Sequence, residues 1–340
     1  MQVLVTGAGG HLGFHLVHSL AMAGHDVRAS LRSLDDAAAV GRMRSQGARE
    51  VVAAPLESEA ALRAAMDGME ALVHAAAVYL LYAPGREDEI VSASVEGVER
   101  AFRAAKDARI KRIVLTSSIA ALPLTPAGAQ PVDESAWNED LRVPYFRAKT
   151  LAERRAWQLA GELGLDLVTV LPGPFAGPGF ARPTPTVDLI EAIMLGTLSP
   201  AAPPISYPYV DVRDVASAHA MVLMSGATGR FIVIDEPIPM LADIAREMNR
   251  LDPSVQKPLF TLPAFAMPVL PYLEALVAVL GKTPRILTPE MAATMRGRRY
   301  NITAARIRRE LGWSPAITLA HSLEDTMAAI RASKAGRPAG

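Results

Sequence analysis

The chain has 340 residues, half of them hydrophobic, with 35 Lys plus Arg against 35 Asp plus Glu and no cysteine. That length allows one large fold or two domains. The even charge balance speaks against a nucleic-acid binder held by bulk electrostatics, and the lack of thiols excludes disulfides, thiolate nucleophiles, zinc ribbons and iron–sulfur clusters.

Met1 to Thr6 run directly into an apolar strand pattern with no basic n-region or cleavage site. No export signal is read there, and a cytoplasmic location is expected. Short β-branched runs then alternate with helical patterns, which predicts βαβ units and a parallel sheet. Strands are expected at Gln2–Val5, Asp26–Ser30, Glu50–Ala54, Ala71–Ala75, Arg112–Thr116 and Asp166–Val170. Helices are expected at Leu16–Ala23, Glu59–Met66, Val91–Ala105 and Phe146–Leu163, where apolar residues recur near the helical period.

After Leu171 nine prolines from Pro172 to Pro208 break this alternation, so short helices and irregular loops are expected. Val187–Leu195 reads as one helical insert, Val212–Leu223 as another helix, and Arg230–Ile234 as a strand returning to the sheet. From Pro239 the chain looks mainly helical. Leu262 to Leu280 approaches spanning length but is interrupted by Pro263, Pro268, Pro271 and Glu274, so it reads as a buried or lining helix without stable membrane insertion. The expected class is α/β: a Rossmann-like doubly wound parallel sheet with a smaller, mainly helical C-terminal substrate lobe. Residues 1–171 are assigned to the dinucleotide-binding domain, with 209–235 returning to it. Residues 172–208 and 236–330 are assigned to the lobe, and 331–340 to a flexible tail.

The first strand leads into Thr6-Gly7-Ala8-Gly9-Gly10-His11-Leu12-Gly13 and then a helix. Glycines at 7, 10 and 13 allow a tight turn, close approach of backbone to a pyrophosphate and close packing of helix on strand. The second strand ends in Arg28-Ala29-Ser30-Leu31-Arg32-Ser33, with no carboxylate before Asp35. A guanidinium there pairs with a ribose 2′-phosphate, so Arg32, with Ser30 or Ser33 nearby, selects NADP(H) over NAD. His11, His15 and His18 fall at helical spacing but lack an accompanying carboxylate. They are read as packed or solvated side chains, and no metal site is expected.

Tyr145 and Lys149 lie four residues apart and so share one face of a helix. That helix follows the fifth strand, whose carboxyl end carries Thr116-Ser117-Ser118, and ligands bind at the carboxyl ends of strands in such sheets. A nearby cation favours the phenolate, so Lys149 tunes Tyr145 for proton transfer while holding nicotinamide ribose hydroxyls. Ser118 is the candidate for holding a substrate carbonyl oxygen, with Ser117 the alternative.

Together the glycine loop, Ser118/Tyr145/Lys149, Val73-His74-Ala75-Ala76-Ala77 and Tyr209-Val210-Asp211-Val212-Arg213-Asp214 resemble the extended short-chain dehydrogenase/reductases. Arg32, Asp133-Glu134-Ser135-Ala136-Trp137 and Arg308-Arg309-Glu310-Leu311-Gly312-Trp313 resemble their dihydroflavonol reductase-like group. The resemblance implies that Gly7, Gly10, His11, Leu12 and Gly13 touch the pyrophosphate and Arg32 the 2′-phosphate. It places Leu56 near adenine, Ala75, Ala76, Ala77 and Thr116 along the cofactor, and Pro172 and Phe175 beside the nicotinamide. Many members of that family pair through two long helices, here Val91–Ala105 and Phe146–Leu163, so a homodimer is one expectation and a monomer, equally allowed by composition, the other. Three positions depart from the pattern: Pro55 replaces an Asp near adenine, Ser94 an Asn in Ser94-Val95-Glu96-Gly97, and Pro123 the polar selector of plant flavonoid reductases.

The expected activity is NADPH-dependent reduction of an apolar or aromatic ketone or aldehyde, or the reverse alcohol oxidation. Alternatives are a nucleotide-sugar epimerase, a hydroxysteroid-type dehydrogenase, and a sensor that holds NADP without turnover.

Overall fold

The computed structural model describes residues 1–77, 85–272 and 288–335. Its centre is a seven-stranded sheet in which every neighbouring pair is parallel. The strands are β1 (Gln2–Thr6), β2 (Asp26–Leu31), β3 (Glu50–Ala53), β4 (Ala71–His74), β5 (Arg112–Thr116), β7 (Leu167–Pro172) and β11 (Gly229–Val233). Their order is β11-β7-β5-β4-β1-β2-β3. From β1 the chain winds one way to β2 and β3, then returns to add β4, β5, β7 and β11 on the other side. The crevice at the carboxyl ends of β1 and β4 is therefore the topological switch point.

Both faces of the sheet are covered, which is why its strands are continuous apolar runs. On one face α1 (His11–Met22) packs against α7 (Val212–Met224). On the other, α3 (Glu59–Met66), α4 (Glu87–Asp107) and α5 (Pro144–Leu163) bury Leu62, Met66, Phe102, Ala156 and Leu159 against Leu4, Leu72 and Ile113. The outer sides of α4 and α5 are laced with ion pairs, Glu99 with Arg103 at 3.4 Å and with Arg155 at 2.5 Å.

A further apolar cluster lies off the sheet. It joins α6 (Pro185–Met194), α8 (Leu241–Leu251) and the helix Leu319–Ala335 through Ile190, Ile193, Ile244, Met248, Leu323 and Met327. Two-residue strands stitch these parts together: β8 (Phe175–Ala176) with β10 (Val210–Asp211), β9 (Ala201–Ala202) with β12 (Phe260–Thr261), and β6 (Thr125–Pro126) with β13 (Arg298–Arg299).

The strand and helix expectations hold to within a few residues, with four differences. The first helix begins at His11 rather than Leu16, because the glycine loop ends at Gly10 and Gly13 is itself helical. A helix over Ala37–Ser45 (α2) was not expected; Asp36 caps it by accepting from the Ala39 amide at 3.0 Å. Residues 331–335 of the expected tail continue the last helix; the remainder lies outside the described residues. Finally, Leu262 to Val269 is not a buried helix. Pro263 and Pro268 hold it to a short 3-10 helix over Ala264–Ala266 and a turn, helix begins only at Leu270, and Phe265, Val269 and Tyr272 are exposed while Met267 is buried. Residues 273–280 of that stretch lie outside the described residues. No helix among the described residues is long and apolar enough to cross a membrane.

Trp313 is a test of how the C-terminal part is secured. Its ring is buried, and its indole N–H donates to Ser217 Oγ at 3.1 Å on α7. Trp313→Ala is expected to cost about 3–5 kcal/mol of stability, measured by urea unfolding.

Candidate active site

The switch point is shaped by glycine. Gly7 has φ +71°, and a Cβ there would lie 2.7 Å from the backbone of Ala76. At Gly13 a Cβ would lie 2.1 Å from the Gly7 carbonyl oxygen, so α1 approaches β1 only because that position has no side chain. Gly10 caps α1 without a side-chain hydrogen bond, and the first turn holds no acidic residue. The amides of His11, Leu12 and Gly13 thus form a positive helix end facing the crevice, a fitting seat for a pyrophosphate.

Arg32 lies just past the end of β2 and is exposed. Arg28, in contrast, is committed to structure: its Nε donates to Glu50 at 2.6 Å and its Nη1 to the Ala65 and Asp67 carbonyls. Ser30 is buried, and Ser33 donates to Asp35 at 2.8 Å, which leaves Arg32 as the guanidinium at this corner. Leu56, Ala76 and Ala77 line the adjoining wall of the crevice. Across from them, Pro172 ends β7, and the Phe175 ring lies 6.1 Å from that of His11.

Ser118, Tyr145 and Lys149 come together at the carboxyl end of β5. Pro144 occupies the first turn of α5, where its missing N–H costs no hydrogen bond, and this sets Tyr145 at the mouth of the crevice. The Tyr145 hydroxyl lies 3.5 Å from Ser118 Oγ. Ser118 Oγ accepts from the Ala120 amide at 3.1 Å, which leaves its own hydrogen free to donate. Ser117 does not share this role, because its hydroxyl donates to Glu153 at 2.7 Å in the interior. Lys149 stands one turn beyond Tyr145, and burial lowers its ammonium to a pKa of about 8, partly opposed by Glu153. The chemistry available is proton transfer at the phenol beside a cation that titrates near neutrality.

Two supporting histidines, His219 and His74, are assigned no role by the sequence. Thr116 donates to Nε2 of the buried His219 at 2.9 Å, while His219 Nδ1–H donates to the Val215 carbonyl at 2.8 Å. His74 shares a 2.8 Å hydrogen bond with Thr6, and its Nε2 meets no hydrogen-bond partner among the described residues. A cavity of about 30 Å³ lies between His74, Ser94 and Lys149, large enough for a water molecule. Ser94 cannot act as the family's Asn would, since its hydroxyl donates back to the Ile90 carbonyl at 2.8 Å.

His11 and His15 both direct Nε2 at the Pro178 carbonyl, at 3.0 and 2.9 Å. Burial lowers the pKa of His11 to about 4, so both rings donate as neutral imidazoles and α1 is tied to the segment after β8. His18 is exposed. Pro123 lines a separate cavity of about 150 Å³ with Leu124, Trp137 and Phe146.

A doubly wound parallel sheet with a glycine-lined phosphate seat at its switch point defines a dinucleotide-binding α/β protein. The sequence profile of the NAD dependent epimerase/dehydratase family matches residues 3–234. Cinnamoyl-CoA reductase 1 of Arabidopsis thaliana is 34% identical over 249 residues, 68% of this chain and 70% of that protein. Sterol demethylase protein B of Methylococcus capsulatus is 30% identical over 331 residues, 94% of this chain and 95% of that protein. The crystal structure of gox2253 matches with a TM-score of 0.82 at 28% identity, covering 99% of both chains. The chain belongs to the NAD dependent epimerase/dehydratase family of extended short-chain dehydrogenase/reductases. It is an oxidoreductase that uses a nicotinamide dinucleotide.

The phosphate seat gives a direct test. Gly13→Ala is expected to weaken dinucleotide binding by about tenfold or more, because the added methyl forces α1 away from β1. Quenching of intrinsic fluorescence on titration with cofactor measures it.

Proposed function

We propose that the protein is an NADPH-dependent carbonyl reductase, working in reverse as an alcohol dehydrogenase, on an apolar or aromatic ketone or aldehyde. The observation that carries this reading is the convergence of the Tyr145 and Ser118 hydroxyls, 3.5 Å apart, with Lys149 one helical turn behind. Bound nicotinamide supplies the hydride. Ser118 donates a hydrogen bond to the carbonyl oxygen as negative charge develops there. Tyr145 then gives its phenolic proton to that oxygen, and the Lys149 ammonium stabilises the phenolate that remains.

Arg32, free of a structural role, holds the 2′-phosphate and selects NADPH. Residues 172–208 and 236–330 supply the substrate lobe. Pro123, standing where plant flavonoid reductases carry a polar selector, argues against a flavonoid substrate.

A second reading, a hydroxysteroid-type dehydrogenase, has a specific observation in its favour. The match to sterol demethylase protein B spans 94% of the chain, whereas that to the cinnamoyl-CoA reductase spans 68%. The longer match takes in more of the proposed lobe, so a sterol-derived ketone belongs in any substrate panel.

Oxidation of NADPH should be followed with aryl ketones, aldehydes, 3-oxosteroids and nucleotide sugars. Tyr145→Phe is expected to lower kcat by about 10²-fold or more with cofactor binding retained. Turnover equal to the parent's would refute the assigned proton donor. Reduction should decline as pH rises through about 8, where the Lys149 ammonium is lost. Arg32→Ala is expected to weaken NADPH at least about tenfold more than NADH; equal weakening would remove the 2′-phosphate role.

A further inference from the structure

Lys149 and Glu153 lie four residues apart on α5, a spacing at which an ammonium and a carboxylate readily pair. Among the described residues, however, the ion-pair partner of Glu153 is Arg230. The carboxylate is fully engaged: Oε1 accepts from Thr169 Oγ1 at 2.8 Å and Arg230 Nε at 2.9 Å. Oε2 accepts from Ser117 Oγ at 2.7 Å and Arg230 Nη2 at 3.2 Å. The guanidinium is itself fixed, because Nη1 donates to the Glu134 and Ala136 carbonyls at 2.7 and 2.6 Å and the Trp137 ring lies 3.8 Å away.

We propose that Arg230, carried on the edge strand β11, is a positioning residue for Lys149: it saturates the carboxylate within helical reach of the ammonium and leaves Lys149 directed to Tyr145 and the cofactor. The inference rests on the roles proposed above for Tyr145 and Lys149.

The surroundings of Lys149 make Glu153 decisive. His74 faces it from β4 and is held neutral by burial and by the Lys149 charge itself. Thr116 of β5 and Ser117 just beyond it are uncharged, as are Ala93, Ser94, Gly97 and Val98 on the α4 wall. Tyr145 shares α5 with it, and the remaining charge is Glu153, with Thr169 of β7 and Arg230 of β11 beyond. Without the guanidinium, Glu153 keeps two neutral donors, and a buried carboxylate without a cation is strongly unfavourable. The cation electrostatically coupled to it is Lys149, one turn away. Lys149 would turn toward Glu153 and away from the crevice.

The test is to label the full chain with 15N-lysine, assign the Lys149 Nζ signal with Lys149→Met, and titrate it without substrate. In the parent the ammonium titrates near pH 8. In Arg230→Met the midpoint is expected to rise by about one pH unit, and reductase kcat to fall about tenfold or more. In the double variant Glu153→Gln/Arg230→Met the decoy carboxylate is gone, so the midpoint should return to the parent's or below and turnover should recover. Arg230→Gln, which keeps amide donors for the 134 and 136 carbonyls, gives the same readout if the Met variant does not fold. A midpoint unchanged in both Arg230 variants would overturn the inference. So would a double variant as inactive as Arg230→Met. The Nζ titration needs no turnover, so full activity in Tyr145→Phe would remove the reading of Tyr145 while the coupling of Arg230 to Lys149 is judged by the titration alone.

Discussion

One buried carboxylate ties the helix of the candidate site to the sheet. Glu153 joins α5 to the end of β5 through Ser117, to β7 through Thr169 and to β11 through Arg230, and Arg230 extends the network to residues 134–137. Taking such an ion out of water costs several kcal/mol, and only a set of close, well-directed donors offsets it. Because α5 is a rigid rod rising about 1.5 Å per residue, fixing Glu153 also fixes Lys149 and, about 12 Å away, Tyr145. The placement of the phenol against Ser118 is thus decided two turns below it.

What was legible in the sequence follows from the range of the interactions involved. Strands such as Arg112–Thr116 stand out because burial on both faces demands an unbroken apolar run. The glycine loop is legible because Gly7, Gly10 and Gly13 fall within seven residues between a strand and a helix, although the backbone that crowds Gly7 is that of Ala76, beyond the end of β4. Tyr145 and Lys149 are legible because helical spacing alone puts them on one face. Glu153 looked like one more charge on a charged helix, since its partner lies 77 residues further on and meets it only after β11 has joined β7. A carboxylate placed four residues after the candidate lysine was the available signal.

The late part of the chain was harder for a different reason. Strands of two residues, such as β8 and β10, carry no periodicity at all. The apolar run from Leu262 reads as a buried or lining helix on hydrophobicity alone, but Pro263 and Pro268 delay helix until Leu270, and Phe265, Val269 and Tyr272 face outward. The histidines at helical spacing are packed or solvated side chains, as the lack of an accompanying carboxylate suggests: His11 and His15 converge on a single carbonyl, that of Pro178, and His18 is exposed.

The edge strand β11 sits, in chain order, between the two stretches that build the off-sheet apolar cluster, α6 on one side and α8 with Leu319–Ala335 on the other. The last strand of the sheet emerges from the ribosome only after α6 is already out, and α6 then waits some 130 residues for the helix that covers it. The apolar cluster therefore cannot be finished before the sheet. The helix Leu319–Ala335 closes it and, through Ser322, reaches Asp211, the residue that caps α7 against the sheet.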